Sequence, residues 1–165
     1  MPDETALTVL VVDEDAQDVA LVRDQLAAQR RQPPLKIESV DRLAAALERL
    51  ARNDVDALLV ALNLPDAPGL EAVERLAAAA PFTPVVVMAV SGDEQLGLEA
   101  VKRGAEDALV KGTVDGAHID RALRYSVERK RAEQALARVA SVMAGLCYEC
   151  GRKIAPSRAR HAAGN

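Results

Sequence analysis

The chain has 165 residues, with 21 Lys and Arg against 25 Asp and Glu, a formal charge of −4 and 50% hydrophobic content, which suits one compact domain with an appendage and enough apolar mass for a core. Thirty-two alanines set against one Phe, two Tyr and no Trp favour closely packed helices over an aromatic-lined ligand cavity or a platform for stacking bases. No run approaches the ~20 apolar residues needed to span a bilayer, and the start Met1-Pro2-Asp3-Glu4 is acidic where a signal peptide would be basic, so a cytoplasmic location is expected.

Leu7 to Val12 is a short apolar run that ends in Asp13-Glu14-Asp15, the pattern of a buried strand delivering carboxylates at its C-terminal end. A helix follows from about Ala16 to Arg30 and stops before Pro33-Pro34. Leu35 to Val40 forms the second strand, and Asp41 is placed to cap an Ala/Leu-rich helix running to Arg52. Val55 to Ala61 repeats the strand pattern, Pro65 to Gly69 reads as a loop, and Leu70 to Ala80 as a helix. Pro84 to Val90 gives a fourth strand, Asp93 to Arg103 a fourth helix stopped by Gly104, and Asp107 to Val110 a short fifth strand. Near-continuous apolar strands alternating with helices call for a parallel sheet covered on both faces.

Five such units in about 125 residues predict an α/β, doubly wound, five-stranded parallel sheet of flavodoxin-like strand order 2-1-3-4-5, whose working site lies beyond the C-terminal strand ends. Those ends carry Asp13, Glu14, Ala61, Ala89 and Lys111. An extended C-terminal helix is expected from about Asp115 to Leu146, roughly 45 Å at 1.5 Å per residue. Ile119, Ala122 and Leu123 can cover the sheet, while the later half must find a partner or stay exposed. The expected divisions are residues 1–128, a helical extension 129–146 and a basic tail 147–165.

The segments Val9 to Glu14, Leu58 to Gly69, Pro84 to Ala89 and Gly104 to Lys111 together resemble the receiver domains of two-component response regulators, over about residues 7–128. In that family an acidic pair binds Mg²⁺, an aspartate on the third strand accepts a phosphoryl group, a Thr or Ser on the fourth reads it, and a Lys after the fifth neutralises it. The resemblance implies that Asp13 and Glu14 match the acidic pair and Lys111 the lysine. It places the phosphoacceptor position on Ala61, the switch hydroxyl on Ala89 and the reporting aromatic on Ala108. Alanine offers neither a nucleophile nor a hydrogen bond. Gly112 stands where a proline is usual.

The expectation is therefore a degenerate pseudo-receiver: not an enzyme, with no cofactor required and at most weak Mg²⁺ binding at Asp13 and Glu14, whose bland role is a charge pair with Lys111. Its partners would be a histidine kinase, an output protein or another receiver, met through the fourth helix, fifth strand and fifth helix. An alternative is a phosphorelay receiver with a relocated acceptor, Asp66 or Asp15 being the residues available. A further carboxyl in the hollow between Asp13 and Lys111, within reach of a bound ion, would overturn the non-catalytic reading.

Ala122, Arg129, Leu136 and Met143 fall at one heptad position and Tyr125, Ala132, Val139 and Leu146 at the other, so Leu136, Val139, Met143 and Leu146 are expected to line a homodimer. Residues 115–165 hold ten Lys/Arg and five Asp/Glu against eleven and twenty before them, but the interspersed charges read as a solvated helix face and nucleic-acid binding is not expected. The tail Cys147-Tyr-Glu-Cys150 resembles the first knuckle of a DksA/TraR-type zinc finger. Tetrahedral zinc needs four ligands; Cys147, Cys150 and His161 of one chain fall short, so zinc would have to join two chains, giving a metal- or thiol-responsive sensor as the other alternative. His118 reads as a surface residue.

Overall fold

The computed structural model describes residues 5–143. In chain order its elements are β1 (Leu7–Val12), α1 (Ala16–Ala27), β2 (Leu35–Val40), α2 (Leu43–Leu50), β3 (Ala57–Ala61), β4 (Asn63–Leu64), β5 (Ala67–Pro68), α3 (Glu71–Ala79), β6 (Val85–Ala89), α4 (Glu94–Lys102), β7 (Asp107–Val110) and α5 (Gly116–Met143). The five longer strands form one sheet in the order β2-β1-β3-β6-β7, every pair parallel. With the small β4-β5 pair set aside, this is the order 2-1-3-4-5 of a flavodoxin-like, CheY-like fold.

The strands alternate their side chains between two cores, as the pleat requires. Val9, Val11, Leu59, Val86 and Met88 face one layer, where they meet Val22 and Leu26 of α1 and Ile119, Leu123 and Val127 of α5. Leu10, Val12, Leu58, Val60, Val85 and Val87 face the other, against Leu43, Ala46, Val73, Leu76 and Ala100 of α2, α3 and α4. Burial on both faces explains why the central strands β1, β3 and β6 read as nearly unbroken apolar runs, each buried Leu or Val contributing about 1.5–3 kcal/mol.

Local chemistry moves several boundaries. The stretch Pro65 to Gly69 is more than a loop: Asn63-Leu64 and Ala67-Pro68 pair antiparallel around a Pro65-Asp66 turn, and the Gly69 amide donates to the Leu62 carbonyl at 2.8 Å. Asp41 does not cap α2. It pairs with the neighbouring Arg42 at 3.0 Å, and Arg42 occupies the cap position without a side-chain bond to the helix. Asp66 reaches across from the turn instead, accepting from the Leu43 and Ala44 amides at 2.8 and 2.9 Å. α1 ends at Ala27, before the predicted Arg30, and β3 starts at Ala57, after the predicted Val55.

Contacts within the chain divide it after Glu128. In the first unit, α5 is fixed by Asp120, 1% exposed, which accepts from Arg124 at 3.0 Å and Arg31 at 3.2 Å; Arg124 also donates to the Pro33 carbonyl at 2.7 Å. A buried carboxylate is tolerable here because two guanidinium groups face it. In the second unit the described residues are the α5 turns from 129 to 143. They leave Leu136, Val139 and Met143 exposed at 69%, 58% and 83%.

Candidate functional site

The site begins where β1 runs out. The Asp13 amide donates to the Val40 carbonyl at 3.0 Å, holding Asp13 on the sheet as its side chain enters the hollow. One Asp13 oxygen accepts from the Asp15 amide at 2.9 Å. Asp15 in turn caps α1, accepting from the Gln17 and Asp18 amides. These linked turns fix the path of the chain into α1 and direct Asp18, in the first helical turn, back over the strand ends. A carboxylate there also suits the positive end of the helix dipole.

From the opposite side, the Lys111 amide donates to the Ala89 carbonyl at 2.8 Å, so β6 positions the lysine at the end of β7. Its ammonium donates to Asp13 at 2.8 Å and to Asp18 at 2.7 Å. Burial opposes the ammonium charge, but the hydrogen bonds to Asp13 and Asp18 outweigh it and hold the Lys111 pKa above the ordinary lysine value. The expected Lys111 pair with a carboxylate is present, and Asp18 is an additional partner that the sequence reading missed. The sequence carries only a helix-start pattern there, an Asp cap followed three residues later by a second acid; the Asp15 amide is taken by Asp13, and Asp18 turns to Lys111 instead.

Ala61 ends β3, 5% exposed, and Ala89 ends β6, 1% exposed. Ala61 lines the hollow together with Asp13, Asp18 and Lys111. Ala89 and Ala108 face α4, where Gly97 comes so near that a Cβ on it would lie 3.2 Å from the Ala108 Cβ and 3.7 Å from the Ala89 Cβ. At this point α4 approaches β6 and β7 through residues with one side-chain carbon or none. Gly112 adopts φ +81°, a conformation closed to proline, whose ring fixes φ near −65°.

Glu14 is exposed and lines the acidic rim with Asp15 and Asp93. Asp13 is already engaged by Lys111 and by the Asp15 amide, and Ala61, which lines the hollow, offers it no oxygen ligand. Among the described residues no group of three or more His, Cys, Asp or Glu side chains is arranged to hold a metal ion. The donor set thus does not fit the divalent cation of the family, which requires several oxygen ligands. The two residues first considered as relocated acceptors, Asp15 and Asp66, are both helix caps. His118 is a surface residue whose Nδ1 lies 2.8 Å from Asp115. Leu146, Cys147, Cys150 and His161 lie outside the described residues.

A parallel sheet of this order with an acidic residue facing a lysine across its C-terminal edge defines a receiver of two-component signalling. The response regulator receiver domain family matches residues 9–124, and the chain belongs to that family. It is 33% identical over 149 residues to the transcriptional regulatory protein FixJ of Azorhizobium caulinodans, covering 88% of this chain and 68% of FixJ. It is 31% identical over 103 residues to the regulatory protein LuxO of Vibrio cholerae, covering 61% of this chain but only 21% of LuxO. Among solved structures it is similar to NtrX from Brucella abortus, with a TM-score of 0.71 at 18% identity over 82% of this chain and 30% of NtrX. A receiver domain protein from Clostridium thermocellum superposes with a TM-score of 0.67 at 17% identity, covering 76% of this chain and 98% of that one. Among the described residues no helix is long and apolar enough to cross a membrane.

Proposed function

We propose that this receiver is a pseudo-receiver that works without phosphorylation, as a protein-interaction and dimerisation module in two-component signalling. Its partners are a histidine kinase, an output protein or another receiver. The observation that carries the reading is Ala61 at the end of β3, where an acceptor carboxylate would stand; Ala89, Ala108 and Gly97 add to it by filling the route from that position to α4. A side chain without an oxygen cannot form an acyl phosphate. Partner recognition falls to the α4, β7 and α5 surface, where Leu98, Val101 and Tyr125 are exposed at 59%, 42% and 63%.

Dimerisation falls to the distal turns of α5. Leu136, Val139 and Met143 follow heptad spacing, and a second copy of the helix would remove their apolar surface from water. Sedimentation velocity on the full chain, with and without acetyl phosphate, tests this. A dimer unaffected by acetyl phosphate and dissociated by Leu136→Glu supports it; a monomer, or a dimer that forms only with acetyl phosphate, overturns it.

One observation favours a second reading, a phosphorelay receiver with a relocated acceptor. Asp18 shares the hollow with Lys111, the cation that would neutralise a phosphoryl group. Its carboxylate oxygen would attack phosphorus, the donor's bond to phosphorus would break, and an acyl phosphate would form on α1. Against this, Asp18 stands on the flank of the sheet and not at the end of its central strand. Acetyl phosphate labelling that is lost in Asp18→Asn would replace the first reading with this one.

A further inference from the structure

The distal turns of α5, residues 129–143, keep charge and apolar surface at different ends. Arg129, Lys130 and Arg131 stand at the start, whereas Val139 to Met143 carry no charge. Four large apolar side chains are exposed along these turns, Leu136, Val139, Val142 and Met143. The heptad seam uses three of them and leaves Val142 aside. A parallel, in-register pair of such helices would stack Arg129 on Arg129, Ala132 on Ala132 and Met143 on Met143. That arrangement brings both basic clusters together at one end and leaves the alanine layer under-filled.

We propose that two copies of the chain pair antiparallel through these turns, with Leu136 of one packed on Val139 of the other and Ala132 on Met143. The twofold axis repeats each pair, so every layer joins a larger side chain to a smaller one. On the flanks Val142 lies over Ala135 of the second copy, which covers the fourth exposed residue, and Glu133 lies beside Ala140. The two basic clusters then sit roughly 25 Å apart along the pair, well beyond the ~8 Å over which exposed charges act at physiological salt. Sliding one copy by a heptad toward the basic end would instead set Glu133 against Glu133, so charge selects this register. Within its own helix Glu133 is paired with Lys130 at 3.2 Å, and Ala140 of the second copy leaves that pair undisturbed. The inference rests on the dimerisation proposed above and fixes how the second copy is oriented.

The test is disulfide trapping in a full-length parent chain carrying Cys147→Ser and Cys150→Ser. Two variants of that parent, Ala132→Cys and Met143→Cys, are mixed and mildly oxidised. A disulfide needs Cα atoms within about 7 Å, and antiparallel pairing keeps like cysteines about 16 Å apart along the helices. The disulfide joining the two different variants is therefore expected to exceed the like-with-like products about tenfold. Ala140→Lys in the same parent should tighten the dimer about threefold by meeting Glu133 of the second copy, whereas parallel pairing would set it beside Ala135 and change nothing. An excess of like-with-like disulfides, or no effect of Ala140→Lys, would overturn the orientation and leave dimerisation standing. A parent chain that sediments as a monomer would also overturn the orientation, and a wild-type chain that does so would remove the dimerisation with it.

Discussion

The ammonium of Lys111 lies 2.7 Å from the carboxylate of Asp18, a residue 93 positions earlier in the chain. Among the described residues the Lys111 ammonium pairs with Asp13, at the end of β1, and Asp18, in the first turn of α1. Its side chain and that of Asp13 are 21% and 9% exposed, so removing the cation would leave two nearby carboxylates partly desolvated. Lys111→Met should destabilise the fold by about 1–2 kcal/mol at neutral pH, a figure reduced for solvent screening.

The pH dependence of that loss has a definite sign. The folded Lys111 pKa is raised, so the stabilisation is fully present below the unfolded lysine pKa of about 10.4 and is lost as pH rises through the folded value. Urea midpoints of wild type and Lys111→Met should differ by a constant amount from pH 7 to about pH 10 and converge above it. A gap that widens in alkali would contradict the assignment.

Asp120 makes a separate prediction on the α5 side. Asp120→Ala would strand Arg124, 13% exposed, beside the Pro33 carbonyl with its charge uncompensated. A loss of about 3 kcal/mol is expected from chemical denaturation, larger than for Arg31→Ala, because Arg31 is 56% exposed. Equal losses would show that burial does not set the scale.

At Gly97 two effects of similar size oppose one another. Gly97→Ala gains up to about 1 kcal/mol of helix propensity, while the new methyl must sit 3.2 Å from the Ala108 Cβ, so its net effect should be near zero. Gly97→Val adds bulk with no further propensity gain and should cost about 1–3 kcal/mol. Thermal unfolding of the two variants separates them, and a stabilised Gly97→Val would mean that α4 is free to lift from β6 and β7.

Asp66 links the turn after β4 to α2, and bonds from the Ala44 amide, opposed by burial and aided by the Leu43 amide, hold its pKa below the usual carboxylate range. A lowered pKa contributes stability above the unfolded value of about 4, lost as pH falls through the folded value. Asp66→Ala should lower the thermal midpoint by a few degrees at pH 7, and the difference should vanish in strong acid. A difference unchanged at low pH would assign the effect to packing.

These residues also show what the sequence makes legible. The central strands β1, β3 and β6 were readable because burial on both faces writes them as nearly continuous apolar runs, whereas the edge strands β2 and β7 are only partly buried; Asp13, Ala61, Ala89 and Lys111 follow from where the strands end. Asp66 capping α2 across 23 positions, and Asp18 reaching Lys111, depend on how separate units pack. Local pattern pointed to the nearer Asp41 for the first and carried only a helix-start signal for the second.

The central claim is that no phosphoryl group is taken up in the hollow between Asp13 and Lys111. Intact-mass spectrometry of the wild-type chain after incubation with acetyl phosphate and Mg²⁺ addresses it directly, with Asp18→Asn and Ala61→Asp run alongside. The wild-type mass is expected to stay unchanged. Stoichiometric addition of one phosphoryl group to the wild-type chain, abolished in Asp18→Asn, would contradict it.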